Sequence, residues 1–379
     1  MRRWLIVAGD FTPLGGMDAA NHALARYVAA RGDAVRLVTH RAWPDLLAIP
    51  SLTVRRATRP FGRHVLGKAL LARAGRAEWR RLEPLGAVAV VNGGNCEIAA
   101  VNWVHYLHAA YEPAVGGSFA RQSKASFTHR ADIAAERRAL GMARLIICNS
   151  KRTKEDVCDR VGVDAARVRV VYYGSDPTRF AAVDAMVRAA AKAAVGAAAD
   201  RPLVGFVGAL GDRRKAFDTV FDAFLALCRT RAWDADLLVV GSGAELPTWQ
   251  SRADACGVAG RIRFVGFRDD VPQLMAAMDG LVHPARYEAY GLAVHEALCR
   301  GVPAIVSASA GVAEQYPANL DELLLRDPDN AGELADRLSR WRSRLEHWRS
   351  AVAPVSERLR ARTWDMMAQE IASAAEAAA

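Results

Sequence analysis

The 379-residue chain lacks an apolar run of the roughly 18 residues that a membrane-crossing helix needs, so no bilayer span is expected. Its six cysteines (Cys96, Cys148, Cys158, Cys228, Cys256 and Cys299) form neither a Cys-x-x-Cys pair nor a cluster with histidine. That argues against a disulfide framework or a zinc site and predicts reduced, structural thiols. Aromatic residues make up only 7% and do not interleave with basic ones as in a base-stacking surface, which argues against nucleic acid as partner. The first glycine loop lacks the three spaced glycines of a dinucleotide fold. No Gly-x-Ser-x-Gly nucleophile occurs, nor an Asp-x-Asp at a strand end; Asp269-Asp270 precedes Val271-Pro272 and reads as a helix cap. No metal site is therefore expected. The opening Met1-Arg2-Arg3 leads into an apolar stretch too short for a secretory signal, which points to the cytosol.

What is present is a basic, well-patterned chain. Fifty-one basic residues against 41 acidic give a net charge of +10, which favours an anionic partner. The length predicts two domains. Near-continuous apolar runs alternate with helical stretches in each half, the pattern of parallel sheets covered on both faces. In the first half, strands are expected at Trp4–Ala8, Ala34–Thr39, Ala87–Asn92, Ala100–Leu107, Arg144–Cys148 and Arg167–Tyr172, with helices at Met17–Ala30, around Ala131–Met142 and from Lys151. Ser150 reads as the cap of the last of these. The pattern fades over Ala181–Arg201, either a weak helix or a linker. It restarts with strands at Leu203–Val207, Asp236–Val240, Arg261–Val265, Gly280–His283 and Ala304–Val306, and helices at Phe217–Cys228, Pro272–Ala277 and Leu292–Cys299. The expected domains are 1–180 and 181–356. A last helix, set apart by Ala353-Pro354 and lying within about 357–379, is expected to return to the first domain.

Ligands of open α/β sheets bind beyond the carboxyl ends of the strands, and the distinctive residues fall there. Glu288 and Glu296 flank Gly291 where a strand passes into a helix. Gly291 lets backbone approach a ligand closely, and the helix start offers unpaired amides to a phosphate. Glu296 can accept from a diol such as ribose, or simply pair with Arg300 one turn on. Gly211-Asp212-Arg213-Arg214-Lys215 is a basic loop after another strand. Gly15-Gly16 opens the first helix, followed by Asp18 and Asn21.

These segments resemble glycosyltransferase family 4. The resemblance is carried by His283-Pro284…Glu288-Ala289-Tyr290-Gly291-Leu292…Glu296-Ala297-Leu298 and the Gly301-Val302-Pro303 that follows. Phe206-Val207-Gly208…Lys215 is similar to the family's phosphate-binding strand end. Pro13-Leu14-Gly15-Gly16 is similar to its N-terminal glycine loop, and Val170–Asp176 stands where the family has an Asn-Gly-Val-Asp turn. The resemblance implies an α/β GT-B fold, two Rossmann-like domains with parallel sheets facing across a cleft. It implies a retaining hexosyltransferase that uses a UDP- or GDP-linked sugar, without metal or further cofactor. Glu288 would contact the donor sugar; Tyr290, Gly291 and Leu292 would present backbone amides; Glu296 would hold the ribose. Lys215 would bind the diphosphate. Ala209 stands where relatives carry an arginine and Ala216 where they carry a glycine, so Arg213 or Arg214 is left to supply a second cation. Gly241-Ser242-Gly243, with Val265, Gly266 and Phe267, would line the nucleotide pocket. His108, at the expected strand end, would face the sugar, with His105 on the opposite face as a structural residue; Glu136 also fits the family pattern.

The acceptor implied is a hydroxyl of a glycan, a lipid-linked sugar or a small molecule. Between Arg55 and Arg81 nine basic residues (Arg55, Arg56, Arg59, Arg63, Lys68, Arg73, Arg76, Arg80 and Arg81) accompany one acid, Glu78. With Phe61, Val65, Leu66, Leu70 and Trp79 among them, the stretch reads as an amphipathic helix suited to an anionic membrane surface, hence a peripheral position at the inner membrane face. The alternatives to transfer are a nucleotide-sugar epimerase of similar fold, or a non-catalytic nucleotide- or nucleic-acid-binding protein.

Overall fold

A computed structural model describes residues 1–60, 64–113, 119–230 and 232–379. The chain divides into two compact units, Met1–Gly174 with Arg362–Ala379, and Ser175–Ala361. Among the described residues no helix is long and apolar enough to cross a membrane. Phe61 and Arg63 of the basic stretch lie outside the described residues.

Among the described residues of the first unit, seven parallel strands stand side by side. Their order is Leu52–Arg56, Ala34–Thr39, Arg3–Val7, Val88–Asn92, Val101–Val104, Leu145–Cys148 and Val168–Val170. The first strand in sequence therefore lies inside the sheet, with Trp4 opposite Val88 and Val7 opposite Val91. A strand so placed is apolar along its length because both faces are covered, and Trp4 through Val7 are fully buried. Leu5 and Val7 pack with Leu71, Ala74 and Trp79 of the helix His64–Leu82. The last helix, Trp364–Ala377, packs on Gly16–Ala30; Arg26 of the latter and Arg31, just past its end, reach Asp365 and Glu376 at 3.2 and 2.6 Å.

The second unit repeats the plan. Among its described residues six parallel strands run in the order Ile262–Gly266, Asp236–Val240, Leu203–Val207, Gly280–His283, Ala304–Ser307 and Leu324–Leu325. In both sheets the order reverses between the first and fourth strands of the series. That is the switch point beyond which α/β sheets open a crevice.

Four expectations change. The strand expected to run to Leu107 stops at Val104. The His108 and Ala109 amides bond instead to the buried Glu136 carboxylate, at 2.9 and 3.1 Å, which draws the chain out of the ladder into a short turn. Arg55 and Arg56 belong to an edge strand rather than to an amphipathic helix. Trp79 packs into the core, and Arg55 and Arg36 pair with buried Glu78 at 2.7 and 3.4 Å; of that stretch's apolar residues, Leu66 is exposed. Pro354 does not break the chain; it lies inside the helix Leu345–Ala361, where buried Trp348, Val352, Val355 and Leu359 hold it despite one lost backbone donor. Asp270 does precede a helix, but its carboxylate serves Arg268, at 2.6 and 2.7 Å, and makes no cap bond. The ambiguous stretch after Ala181 is resolved as a helix, Ala185–Ala194, capped by Asp184; its Arg188 and Lys192 reach the buried Asp279.

Two backbone positions give testable consequences. A Cβ on Gly174 would stand 2.2 Å from the Thr363 carbonyl oxygen, at the point where the last helix begins. Gly174→Ala is therefore expected to displace that helix and lower stability by about 1–3 kcal/mol, read by urea unfolding. Ala216, between the 213–215 turn and the helix Phe217–Cys228, has φ 51°. A left-handed alanine costs roughly 1–2 kcal/mol, part of which a glycine returns as chain entropy. Ala216→Gly is thus expected to raise stability by up to about 1 kcal/mol in the same assay.

Candidate functional site

The second unit's switch point gathers charge. The loop after Leu203–Val207 turns at Asp212, whose carboxylate accepts from the Arg214 amide at 3.1 Å and holds the Arg214 guanidinium at 3.0 and 3.2 Å. This leaves Lys215 pointing to the loop that follows the neighbouring strand, Gly280–His283. There its Nζ donates to Oε2 of Glu288 at 2.5 Å. His283 Nε2 meets the same oxygen at 3.0 Å. Neither contact uses Oε1. Arg286 ties the two loops: its amide donates to the Arg214 carbonyl at 2.8 Å, and its guanidinium grips Asp218 at 2.8 and 3.0 Å and Asp329 at 2.6 Å.

Burial alone would push the Glu288 carboxyl up. Lys215, with help from His283 and Arg214, more than reverses this and holds it well below the usual carboxylate range. Burial and the Lys215 charge push His283 down, so its imidazole is neutral at pH 7. Arg214, not Arg213, is the arginine whose charge reaches this pair; Arg213 is exposed.

Gly291 sits beside the carboxylate at φ 111°, and a Cβ there would lie 2.9 Å from Val312 and 3.3 Å from Cγ of Glu288. It opens the helix Leu292–Cys299, so that helix's first amides lie next to Glu288. Tyr290 is buried and its hydroxyl bonds His295 Nδ1 at 2.8 Å, so any role at the surface falls to its backbone. Leu292 is half-buried. Glu296, one turn on, is half-buried; burial pushes its carboxyl up to about 8, with Arg179 pulling the other way. Arg300 does not pair with it but donates to the Arg179 carbonyl at 2.8 Å. Val265 and Gly266 end the sheet's edge strand, where the Gly266 carbonyl accepts from the Gly241 amide at 2.8 Å, and Phe267 is 79% exposed.

Gly15, Gly16 and His108 belong to the first unit. Gly15, at φ 84°, precedes the helix Gly16–Ala30. Nearby, burial and Asp10 raise Asp18 to about 6 against Arg41 and Arg59. The His108 ring lies edge-on to Tyr106 at 5.0 Å. Glu136, which carries the His108 turn, is raised to about 7 by burial despite its two amide donors. His105 is buried, bonds the Tyr173 hydroxyl through Nδ1 at 2.5 Å, and is pushed down to about 3 by burial. Asn149 completes that network, 3.2 Å from the same hydroxyl. Sequence reasoning missed His283 as a partner of Glu288, although it stands in the same motif. It also missed Arg286, whose carboxylates Asp218 and Asp329 lie far along the chain.

A family model described as glycosyltransferase family 4 matches residues 14–179, and one described as glycosyl transferases group 1 matches residues 201–343. A 2-deoxystreptamine N-acetyl-D-glucosaminyltransferase of Streptomyces fradiae is 32% identical over 215 residues, 54% of this chain and 48% of that protein. The chain spans about half the length of the curated relatives it matches. Sucrose-phosphate synthase from Thermosynechococcus elongatus superposes with a TM-score of 0.78 at 21% identity, covering 99% of this chain and 98% of that one. HepE of Anabaena, solved with UDP and glucose, superposes with a TM-score of 0.74 at 18% identity over the whole of both chains. With two parallel sheets of reversed strand order and family models matching both halves, the chain belongs to glycosyltransferase family 4 and has the GT-B fold.

Proposed function

We propose that the protein transfers a sugar from a UDP- or GDP-sugar to a hydroxyl of a glycan, lipid-linked or small-molecule acceptor, with retention at the anomeric carbon. The observation that carries this reading is the Lys215–Glu288 contact beside the Gly291 helix start, at the switch point of one sheet. A cation, a carboxylate and a set of open amides in one place suit the three parts of a nucleotide-sugar: diphosphate, sugar hydroxyls and developing charge. The Streptomyces relative's name, an N-acetyl-D-glucosaminyltransferase, and the UDP and glucose of the Anabaena protein support the same donor class.

In this mechanism the bond from the anomeric carbon to the phosphate oxygen breaks as the acceptor oxygen forms its bond on the same face. The acceptor proton passes to the departing phosphate oxygen. Lys215 and Arg214 stabilise the negative charge that grows there, in place of a metal ion. Glu288 accepts a sugar hydroxyl through Oε1, and Glu296 accepts from the ribose diol. In the first unit, the same reading gives His108 a sugar-binding role and Gly15 and Gly16 a role in letting backbone approach a ligand. Val265, Gly266 and Phe267 border the base. The basic surface that remains exposed, with Arg73, Arg80 and Arg81, supplies an electrostatic rather than inserted contact with an anionic membrane.

Two measurements test this. Lys215→Ala should lower kcat by ~10²–10³, followed as nucleotide release from a panel of UDP- and GDP-sugars with acceptor present. Turnover at the wild-type rate would remove Lys215 from the reaction. Glu296 carries the second test. Its folded acid form is favoured up to about pH 8, whereas an unfolded glutamate ionises near its ordinary value of 4.5. Between those values the folded state binds the extra proton, so its stability falls as pH rises. Glu296→Gln should therefore raise Tm over wild type, by a margin that widens from pH 5 to pH 8. The same variant should bind nucleoside diphosphate more weakly. A Tm gain without loss of affinity would leave Glu296 outside the ribose contact.

A further inference from the structure

We infer that His283 is a positioning residue for donor binding: its Nε2–H keeps Glu288 ionised and in place when Lys215 leaves that carboxylate for a diphosphate. The inference rests on the donor reading above.

In the structure Lys215 has already committed its closest approach to a protein carboxylate. At 2.5 Å it uses one of its three N–H donors on Oε2 of Glu288, and an incoming diphosphate, which carries more charge, competes with that carboxylate to take the ammonium over. Taken alone, that exchange would strand a carboxylate whose side chain is 13% exposed. A buried carboxylate left without partners is costly and tends to take up a proton. A protonated Glu288 would present a donor where the sugar site requires an acceptor.

His283 prevents this. It is the last residue of the strand Gly280–His283, 1% exposed, with Nε2 3.0 Å from the same Oε2. Its Nδ1 is enclosed and has no hydrogen-bond partner among the described residues. A neutral imidazole carries a single N–H. With nothing to receive a proton at Nδ1, that hydrogen belongs on Nε2, aimed at Glu288. The charged and titratable groups facing the carboxylate are Lys215, His283 and Arg214. Arg214 is held by Asp212 at 3.0 Å, so when Lys215 moves, His283 is the donor that stays in contact. The strand end fixes the imidazole, which also holds Oε1 at a constant angle toward a sugar hydroxyl.

The test is calorimetric titration of UDP and of GDP into wild type, His283→Leu and His283→Gln, in two buffers of different ionisation heat. Comparing variant with wild type at one pH cancels the ligand's own titration. His283→Leu should bind the diphosphate roughly 10-fold or more weakly, the size expected for a lost bond to a charged group. It should also take up an additional proton on binding. His283→Gln keeps an N–H at the same reach and should restore most of the affinity and the wild-type proton count. In a Glu288→Gln background the Leu substitution should leave the proton count unchanged, because no carboxylate remains to be held.

A Leu variant with wild-type affinity and proton count would overturn the inference, as would a Gln variant as impaired as Leu. Proton uptake that persists in the Glu288→Gln background would also overturn it. These outcomes, with wild type binding normally, would leave the donor reading standing. Wild type that binds neither UDP nor GDP would bring down the donor reading and this inference together. Should His283→Leu melt far below wild type, His283→Gln decides: it must keep most of the affinity and the wild-type proton count, and loss of either overturns the inference.

Discussion

A carboxylate enclosed at the end of a parallel sheet, with an ammonium on one of its oxygens, is the constraint around which the second unit is built. Glu288 and Lys215 are 73 residues apart in the chain. They meet because the strands that precede them, Leu203–Val207 and Gly280–His283, are neighbours where the strand order reverses. Were those two strands not neighbours, the lysine and the carboxylate would stand on loops set apart across the sheet. Such a pair adds little to stability once its desolvation is counted. The surrounding structure therefore has to hold it, and Arg286 does so by clamping both loops to Asp218 and Asp329. Ala216, in a backbone region that alanine avoids, is a further sign that the lysine's position is imposed by the turn.

Elements covered on both faces were legible from the sequence. The strands Asp236–Val240 and Gly280–His283 and the helices Phe217–Cys228 and Leu292–Cys299 have the bounds expected from their apolar runs. Elements exposed on one side were not. Leu52–Arg56 is an edge strand that ends in two arginines, Arg55 on buried Glu78 and Arg56 exposed, so it resembled part of a basic helix. The helices Ala331–Ser343 and Leu345–Ala361 carry so many charges that their buried stripes of Leu, Val and Trp were overlooked. Pro354 was taken for a break because its tolerance depends on packing from elsewhere in the chain.

The candidate site divides in the same way. A local motif was enough to single out Glu288, Gly291 and Glu296, and a basic loop after a strand to single out Lys215. Partnerships were not legible. His283 bonds within its own motif, but only the folded strand end shows that its imidazole turns back to the carboxylate. The choice between Arg213 and Arg214 depends on how Asp212 folds the turn. In the first unit the buried Glu136 anchors the amides of residues 108 and 109, a long-range contact that also ends the strand early. Where an interaction spans dozens of residues, composition and spacing carry no trace of it.

The last helix belongs to the first unit, with the whole of the second unit intervening in the chain. Residues leave the ribosome in order, so the apolar side of Gly16–Ala30 waits uncovered while some 187 residues of a separate unit are made. The second unit is thus able to mature before the first is complete. During that interval the nascent chain presents an unfinished hydrophobic seam, and Arg362–Ala379 act as the closing stitch.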